Sequence, residues 1–148
     1  MKKIIFLVSV PWMLLAACQA SKITTGVLEV KDAWARPAET GDNGAVYFVI
    51  ENGTAQEDML LSAQADIASA TELHLSEMEG DHVSMHQQEE IVLPAGEAVE
   101  FSPGGLHIML VGLARDLSNG ETFDITLVFE HAGEQSVTVT VKDDVNDD

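Results

Sequence analysis

The sequence predicts an all-β domain, either a sandwich or a barrel, because short strand-like runs recur with turn signals between them. The clearest runs alternate apolar and polar residues at period two, first over 123–130 and then over 137–141. The sequence shows no long amphipathic helix pattern, no internal repeat and no sign of a second domain. We therefore expect one β domain with its own hydrophobic core.

Each expected strand is an apolar run that ends at turn residues. The run at 45–50 is almost continuously apolar and stops at Asn52-Gly53. Pro94 ends the run at 91–93, and Pro103-Gly104-Gly105 precedes a long apolar strand. In chain order, strands are expected at 27–30, 33–37, 45–50, 59–61, 72–75, 82–86, 91–93, 99–101, 106–113, 123–130 and 137–141.

The N-terminus predicts a lipoprotein signal peptide over residues 1–17. A short basic start is followed by an apolar stretch that is too brief for a membrane span, which needs about 20 apolar residues. The stretch closes on Leu15-Ala16-Ala17-Cys18, which resembles the bacterial lipobox. We expect Cys18 to be lipidated and to begin the mature protein. The alternative is ordinary cleavage, with Cys18 lost or left free.

The rest of the chain then divides into three parts. Residues 18–25 form a tether, 26–141 the β domain and 142–148 an acidic tail. The protein is expected in the periplasm, attached to the membrane only through its lipid. Gln19, which follows the cysteine and is not aspartate, favours the outer membrane of a Gram-negative cell.

Charge and cysteine content exclude several classes of function. The chain carries 7 basic and 25 acidic residues, a net charge of −18, which repels nucleic acid. Cys18 is the only cysteine, so no disulfide and no copper site with a thiolate ligand is expected. The sequence supplies no evident nucleophile, general base or substrate cleft, and we do not expect an enzyme.

Two histidines and two methionines form a sparse pattern, His74-x10-Met85-x21-His107-x-Met109. Imidazole and thioether ligands together suit Cu(I), whereas Zn(II) prefers thiolates or carboxylates beside its histidines. His107 and Met109 are two apart on an expected strand, so they share a face while Ile108 points to the core. The alternative is that the methionines are packing residues of a β core.

The other two residues of the pattern fall on an expected hairpin. A two-residue turn at Glu79-Gly80 would place His74 directly opposite Met85, with both side chains within reach of one ion. In that register His82 and His86 face the other way, where they are exposed or form a weak Cu(II) or Zn(II) site.

Three further residues have more than one interpretation. Met78 shares a face with His74 in this hairpin and is a candidate spare ligand. Met59, between Asp58 and Leu60, is expected in the core. His131 lies in a turn and is expected to be exposed to solvent.

The whole pattern resembles the signature of the PCu(A)C periplasmic copper chaperone family. The resemblance covers roughly Gly26 to Val141, and the segments around the pattern agree as well as the pattern itself. These segments are Ala45-Val46-Tyr47-Phe48, Asn52-Gly53, Glu72-Leu73-His74, Leu93-Pro94-Ala95-Gly96, Pro103 to Leu110, Gly112-Leu113 and Phe129 to Glu134.

The resemblance implies a cupredoxin-like Greek-key β-barrel or sandwich that binds one Cu(I) ion at an exposed rim. Its ligands would be His74, Met85, His107 and Met109. It also implies delivery of copper to a partner such as the copper-A site of cytochrome c oxidase subunit II, alongside a thioredoxin-like copper protein. Some members carry a His- and Met-rich C-terminal extension that binds Cu(II), but the tail of this chain is rich in aspartate and has neither residue.

Three other functions remain open at this point. The protein could store or buffer copper, it could be a structural envelope lipoprotein without a metal site, or it could be a copper-dependent oxidoreductase. The last requires copper to cycle between oxidation states, and two methionine ligands favour Cu(I).

Overall fold

The computed structural model describes residues 24–80 and 82–143. The predicted signal peptide, Cys18, most of the tether and residues 144–148 of the acidic tail lie outside the described residues. The described part consists of β-strands, turns and loops, without a helix. No described segment forms a helix long and apolar enough to cross a membrane.

Ten strands follow one another along the chain, one fewer than the eleven expected, because the runs at 27–30 and 33–37 belong to a single strand with an irregularity between Lys31 and Trp34. Their bounds are β1 Leu28–Ala35, β2 Gly44–Asn52, β3 Asp58–Gln64, β4 Ala68–Glu79, β5 His82–Gln88, β6 Ile91–Leu93, β7 Ala98–Phe101, β8 Leu106–Leu113, β9 Thr122–Phe129 and β10 Gly133–Val141.

The strands form one continuous sheet whose order is β5-β4-β8-β7-β2-β1-β10-β9-β3-β6, with a further pairing between β8 and β2. The sheet curls around a single core, because strands near both of its ends contribute to one cluster of buried side chains. Leu73 of β4 and Leu93 of β6, for example, both belong to that cluster. The prediction of an all-β domain is therefore confirmed.

Alternating side chains of strand β8 lie on opposite faces of the sheet. Ile108 and Leu110 are fully buried in the core cluster. Because side chains alternate along a strand, His107 and Met109 must point to the opposite face of the sheet, which we call the outer face. The shared orientation that the sequence predicted for this pair is confirmed.

The β4–β5 hairpin forms, but the predicted register was wrong by two residues. Glu79 pairs with His82 and still belongs to β4, so the turn begins at Gly80 and not at Glu79. Gly80 has a φ of +65°. Two-residue hairpin turns favour a positive φ at the first turn position, which glycine adopts readily and glutamate does not.

The shift in register changes which residues of β4 and β5 lie opposite each other, but each side chain stays on the face that was predicted for it. His74 lies opposite Gln87, and Met85 lies opposite Ser76. Because side chains repeat every two residues along a strand, a slip of two leaves Met85 on the same face as His74. His86 pairs with Leu75 and so faces the other way, as predicted.

The exposure predicted for His131 is confirmed, since its side chain is 59% exposed. The prediction for Met59 was wrong. Leu60 is fully buried, whereas Met59 is half-buried and lies outside the core cluster. The reason is strand alternation, because only one of two adjacent residues on β3 can face the core.

A buried carboxylate ties the start of β3 to the loop between β9 and β10. Asp58 is 5% exposed and accepts hydrogen bonds from the backbone N–H groups of Met59, His131 and Ala132, at 2.8, 2.9 and 2.9 Å. Burial raises the pKa of this carboxyl, but the three N–H donors and the His131 ring outweigh it and the pKa is lowered overall. The ionised form of Asp58 therefore stabilises the fold.

Replacing Asp58 by Asn should destabilise the domain by about 1–3 kcal/mol at pH 7, because the amide NH₂ would face backbone donors. The ionised carboxylate contributes fully above its unfolded-state pKa, and this contribution is lost as the pH falls through the lower folded-state value. The difference between parent and variant should therefore shrink below about pH 4. Denaturant unfolding at several pH values measures it.

Asp124→Asn is the matched control, since Asp124 is exposed and accepts only a surface hydrogen bond from Thr138 Oγ1 in the described structure. It should change the free energy of unfolding by less than about 0.5 kcal/mol. Equal losses for both variants, or a difference that does not depend on pH, would contradict this role for Asp58.

Candidate metal site

Three residues of the sequence pattern line one pocket on the outer face of the sheet. Met85, His107 and Met109 contribute to its wall together with Tyr47 and Ser76. The pocket has a volume of about 330 Å³. Strands β2, β4, β5 and β8 thus all contribute to this pocket.

The fourth residue, His74, lies beside this pocket and does not line it. It is directly opposite His107 in the β4–β8 pairing, and the two ring centroids are 5.7 Å apart. Met109 lies opposite Glu72 in the same pairing, two residues along from His74. The structure therefore brings all four predicted residues to one face of three adjacent strands.

His107 is buried, which the sequence did not indicate. Its residue is 4% exposed, and its Nδ1–H donates to the carbonyl oxygen of Gly105 at 3.0 Å. A carbonyl can only accept, so Nδ1 carries the proton and Nε2 keeps the lone pair. Burial lowers the pKa of His107, the Gly105 carbonyl opposes this shift, and His74 lowers the pKa further, so that it lies below its ordinary value. The ring is thus held in its neutral form, the one that binds metals.

His74 is oriented by a carboxylate. Its Nε2 lies 2.7 Å from Oε2 of Glu72, and an ionised carboxylate can only accept, so Nε2 is the donor. In the neutral ring, Nδ1 then carries the lone pair. This atom is buried and has no hydrogen-bond partner among the described residues. A buried, unpaired polar atom costs roughly 1–3 kcal/mol, so its retention needs an explanation beyond folding.

A soft metal ion bound to Nδ1 of His74 would give this nitrogen the partner that it lacks. His74 and His107 each present one lone pair, from Nδ1 and Nε2 respectively, because their other nitrogens are occupied by hydrogen bonds. Hydrogen bonds of this type fix the tautomer and ring orientation of metal-binding histidines in general. The two thioethers are soft donors, so the whole set fits a soft ion such as Cu(I).

The exposure of the methionines argues against a role in core packing. Met85 is 48% exposed and Met109 is half-buried, although both are large apolar side chains. Neither belongs to the core cluster. The candidate site is therefore graded from inside to outside, with His107 buried, His74 and Met109 half-buried, and Met85 open to solvent.

Sequence reasoning missed the groups that orient the two histidines. Glu72 precedes His74 by two residues on the same strand, so period-two alternation would have placed the carboxylate on the same face. The carbonyl of Gly105 left no such signal, because its direction depends on the turn before β8. Tyr47, which lies 6.3 Å from His107 between ring centroids, was likewise not predicted at the site.

The described residues include no cluster of three or more His, Cys, Asp or Glu side chains arranged to hold a metal. His82 and His86 thus acquire no third ligand of these types within the described structure. The candidate metal site is therefore the outer-face group, with its mixed imidazole and thioether donors.

Comparison with known proteins identifies relatives over most of the chain. Residues 28–141 match the family described as "Putative lipoprotein LpqE-like". The chain is 31% identical over 117 residues to the "Putative lipoprotein Lxx21020" of Leifsonia xyli subsp. xyli, covering 78% of this chain and 70% of that protein. It is 30% identical over 116 residues to the "Uncharacterized protein RP573" of Rickettsia prowazekii, covering 75% of this chain and 64% of that one.

Solved structures resemble the fold closely. The solution structure of CuI-DR1885 from Deinococcus radiodurans is 28% identical, with a TM-score of 0.62 over 88% of this chain and 85% of that chain. The copper-bound PCuAC domain from PmoF2 has a TM-score of 0.69 at 24% identity, over 83% of this chain and 98% of that domain. The cupredoxin-like Greek-key architecture expected from the sequence is thereby confirmed, and so is the resemblance to PCu(A)C domains. The chain belongs to the LpqE-like lipoprotein family, whose fold here is that of a PCuAC domain.

Proposed function

We propose that this protein is a periplasmic copper chaperone that binds one Cu(I) ion through His74, Met85, His107 and Met109 and passes it to an acceptor protein. The observation that carries the proposal is the buried Nδ1 of His74, which lacks a partner among the described residues. Its ring centroid is 5.7 Å from that of His107, which lines the two-methionine pocket. Folding alone leaves that atom unexplained, and a bound ion would satisfy it.

The donor set suits a carrier. Neutral imidazoles and thioethers leave bound Cu(I) with its single positive charge and without a thiolate bond, so that ligands of a partner can replace them one at a time. The exposed thioether of Met85 gives such a partner a point of entry. This exposure favours delivery over storage, because a storage site gains from enclosing its ion.

The relatives support the same proposal. The Deinococcus protein that this chain resembles over most of its length has a Cu(I) form. The lipoprotein relatives support attachment to a membrane through Cys18, with the outer membrane favoured by Gln19. The acceptor would be a copper protein such as the copper-A site of cytochrome c oxidase subunit II, and a thioredoxin-like copper protein would act alongside. The net charge of −18 would favour a basic docking surface on that partner.

A structural lipoprotein without a metal site is the competing proposal. It requires the two methionines to serve packing, and their exposure and their position outside the core cluster weigh against that. A copper oxidoreductase is disfavoured by the donor set, since two thioethers stabilise Cu(I) over Cu(II).

Titration of Cu(I) against a chromogenic chelator tests the proposed site. The parent should bind one equivalent, and both Met85→Leu and Met109→Leu should weaken binding by more than the roughly 10- to 100-fold typical of changes outside the ligand shell. Leucine conserves volume, so these variants should fold, with a loss of less than about 1.5 kcal/mol.

Met59→Leu is the matched control, because it removes a thioether from β3, away from the pocket. It should leave the affinity unchanged. Failure of the parent to compete with the chelator, or equal binding by all three variants, would overturn the copper site and favour the structural lipoprotein.

Substitution of Glu72 tests the orientation of His74. Glu72→Ala removes the acceptor for Nε2–H and should weaken Cu(I) binding by about 10- to 100-fold. Glu72→Gln keeps an amide oxygen that can accept the same hydrogen bond, so it should retain most of the affinity. The chelator titration measures both, and NMR of the His74 ring nitrogens reports the tautomer directly.

Glu77→Ala serves as the control, since Glu77 lies on the same strand with its side chain on the other face. It should bind as the parent does. A Glu72→Ala variant with parental affinity and an unchanged His74 tautomer would show that the carboxylate does not position this ring.

A further inference from the structure

The β4–β5 hairpin extends beyond the rest of the sheet on the side of the pocket. The pairing of β4 with β8 ends at Leu75 and Leu106, whereas β4 continues to Glu79, paired only with β5 among the described strands. We call the segments 76–79 and 82–85 the hairpin arm. The N–H of Ser76 donates to the Gly105 carbonyl at 3.0 Å and so connects the start of the arm to the turn before β8.

The hairpin arm has two chemically different faces. Met78, Val83 and Met85 share the face that continues the outer face of the sheet, because Met78 pairs with Val83 and Ser76 with Met85. Met78 is 69% exposed and Val83 65% exposed. The opposite face carries Glu77, Ser84 and His82. The large apolar side chains are thus on the pocket side, where they remain in water.

Met78 and Met85 are diagonal neighbours on that face. The pairs Met78–Val83 and Ser76–Met85 follow one another on this face, and the pair between them, Glu77–Ser84, faces the other way. Diagonal neighbours on paired strands are separated by roughly 7–8 Å, within reach of long side chains. Methionine has three rotatable bonds, so its sulfur can cover such a gap. The thioethers of Met109, Met85 and Met78 therefore form a series from the half-buried pocket to the exposed arm.

We propose that Met78 is a transfer ligand, an exposed thioether that takes hold of the Cu(I) ion as it enters or leaves the four-residue site. This inference rests on the proposed function and adds a residue that acts in exchange and not in the resting complex. Met78 is more exposed than Met85, so an incoming copper donor or acceptor reaches the Met78 thioether first. Valine has no donor atom, so the role falls to Met78 and not to Val83.

The exchange step balances without any further reactant. A bond from copper to the Met78 sulfur forms while a bond from copper to one imidazole nitrogen of the site breaks, so the number of ligands is conserved. Both ligands are neutral, the copper stays Cu(I), and no proton or electron moves. Met85 holds the ion throughout. The reverse sequence loads the site.

The experiment compares rates with equilibrium constants for the full-length protein in mild detergent. Cu(I)-loaded protein is mixed with excess chromogenic chelator in a stopped-flow instrument, and the Kd is measured separately by titration. Met78→Leu should slow both capture and release by about tenfold, ~1.4 kcal/mol in the barrier, and leave the Kd unchanged. A small chelator needs no apolar docking surface, so the assay isolates the role of the sulfur.

Val83→Ala is the matched control, since it alters the equally exposed apolar partner of Met78 and removes no donor atom. It should match the parent in both rate and Kd. Parental rates for Met78→Leu, or equal slowing by Val83→Ala, would overturn the transfer role. A loss of affinity in Met78→Leu would make Met78 a resting ligand and also overturn it. Absence of Cu(I) binding by the parent would overturn the proposed function itself, a result distinct from normal binding with unchanged rates.

Discussion

The register between β4 and β8 is the constraint on which the candidate site depends. Leu73 and Ile108 lie opposite each other with their side chains buried, so the core fixes how these strands align. The next pair along is His74 and His107, which the same alignment places together on the outer face. A slip of one residue would turn the apolar set outward and the histidines into the core, at a cost that the fold does not tolerate. Core packing thus places the two rings side by side.

Hydrogen bonds then determine which ring nitrogens of the two histidines are available to a metal ion. The Nδ1–H of His107 donates to a carbonyl, whereas the Nε2–H of His74 donates to a carboxylate, so each neutral ring keeps one lone pair free of these hydrogen bonds. The available nitrogen is Nε2 in His107 and Nδ1 in His74, because the other nitrogen of each ring is hydrogen-bonded. The methionines complete the set from the more exposed side, which makes the same group of residues suited to holding a soft ion and to releasing it.

Alternation and turn chemistry explain what the sequence could and could not predict. The strands and the shared face of His107 and Met109 follow from apolar periodicity, which is a local property of β8. The predicted hairpin register was wrong because it depended on which of two adjacent dipeptides formed the turn. The positive φ of Gly80 suits the first position of the turn, which places Glu79 in the strand. Met59 was misplaced because the side of β3 that faces the core is set by pairing with distant strands. The burial of His107 has the same origin, since it depends on contacts across the sheet and not on neighbouring residues.

The most direct test of the account is the copper K-edge X-ray absorption spectrum of the Cu(I)-loaded protein, recorded beside Met109→Leu and Met59→Leu. The account predicts a Cu(I) edge and a first coordination shell that contains both imidazole nitrogen and sulfur, with sulfur scattering reduced in Met109→Leu and unchanged in Met59→Leu. A shell of nitrogen and oxygen alone, or sulfur scattering that is indifferent to Met109, would contradict a site built from His74, Met85, His107 and Met109.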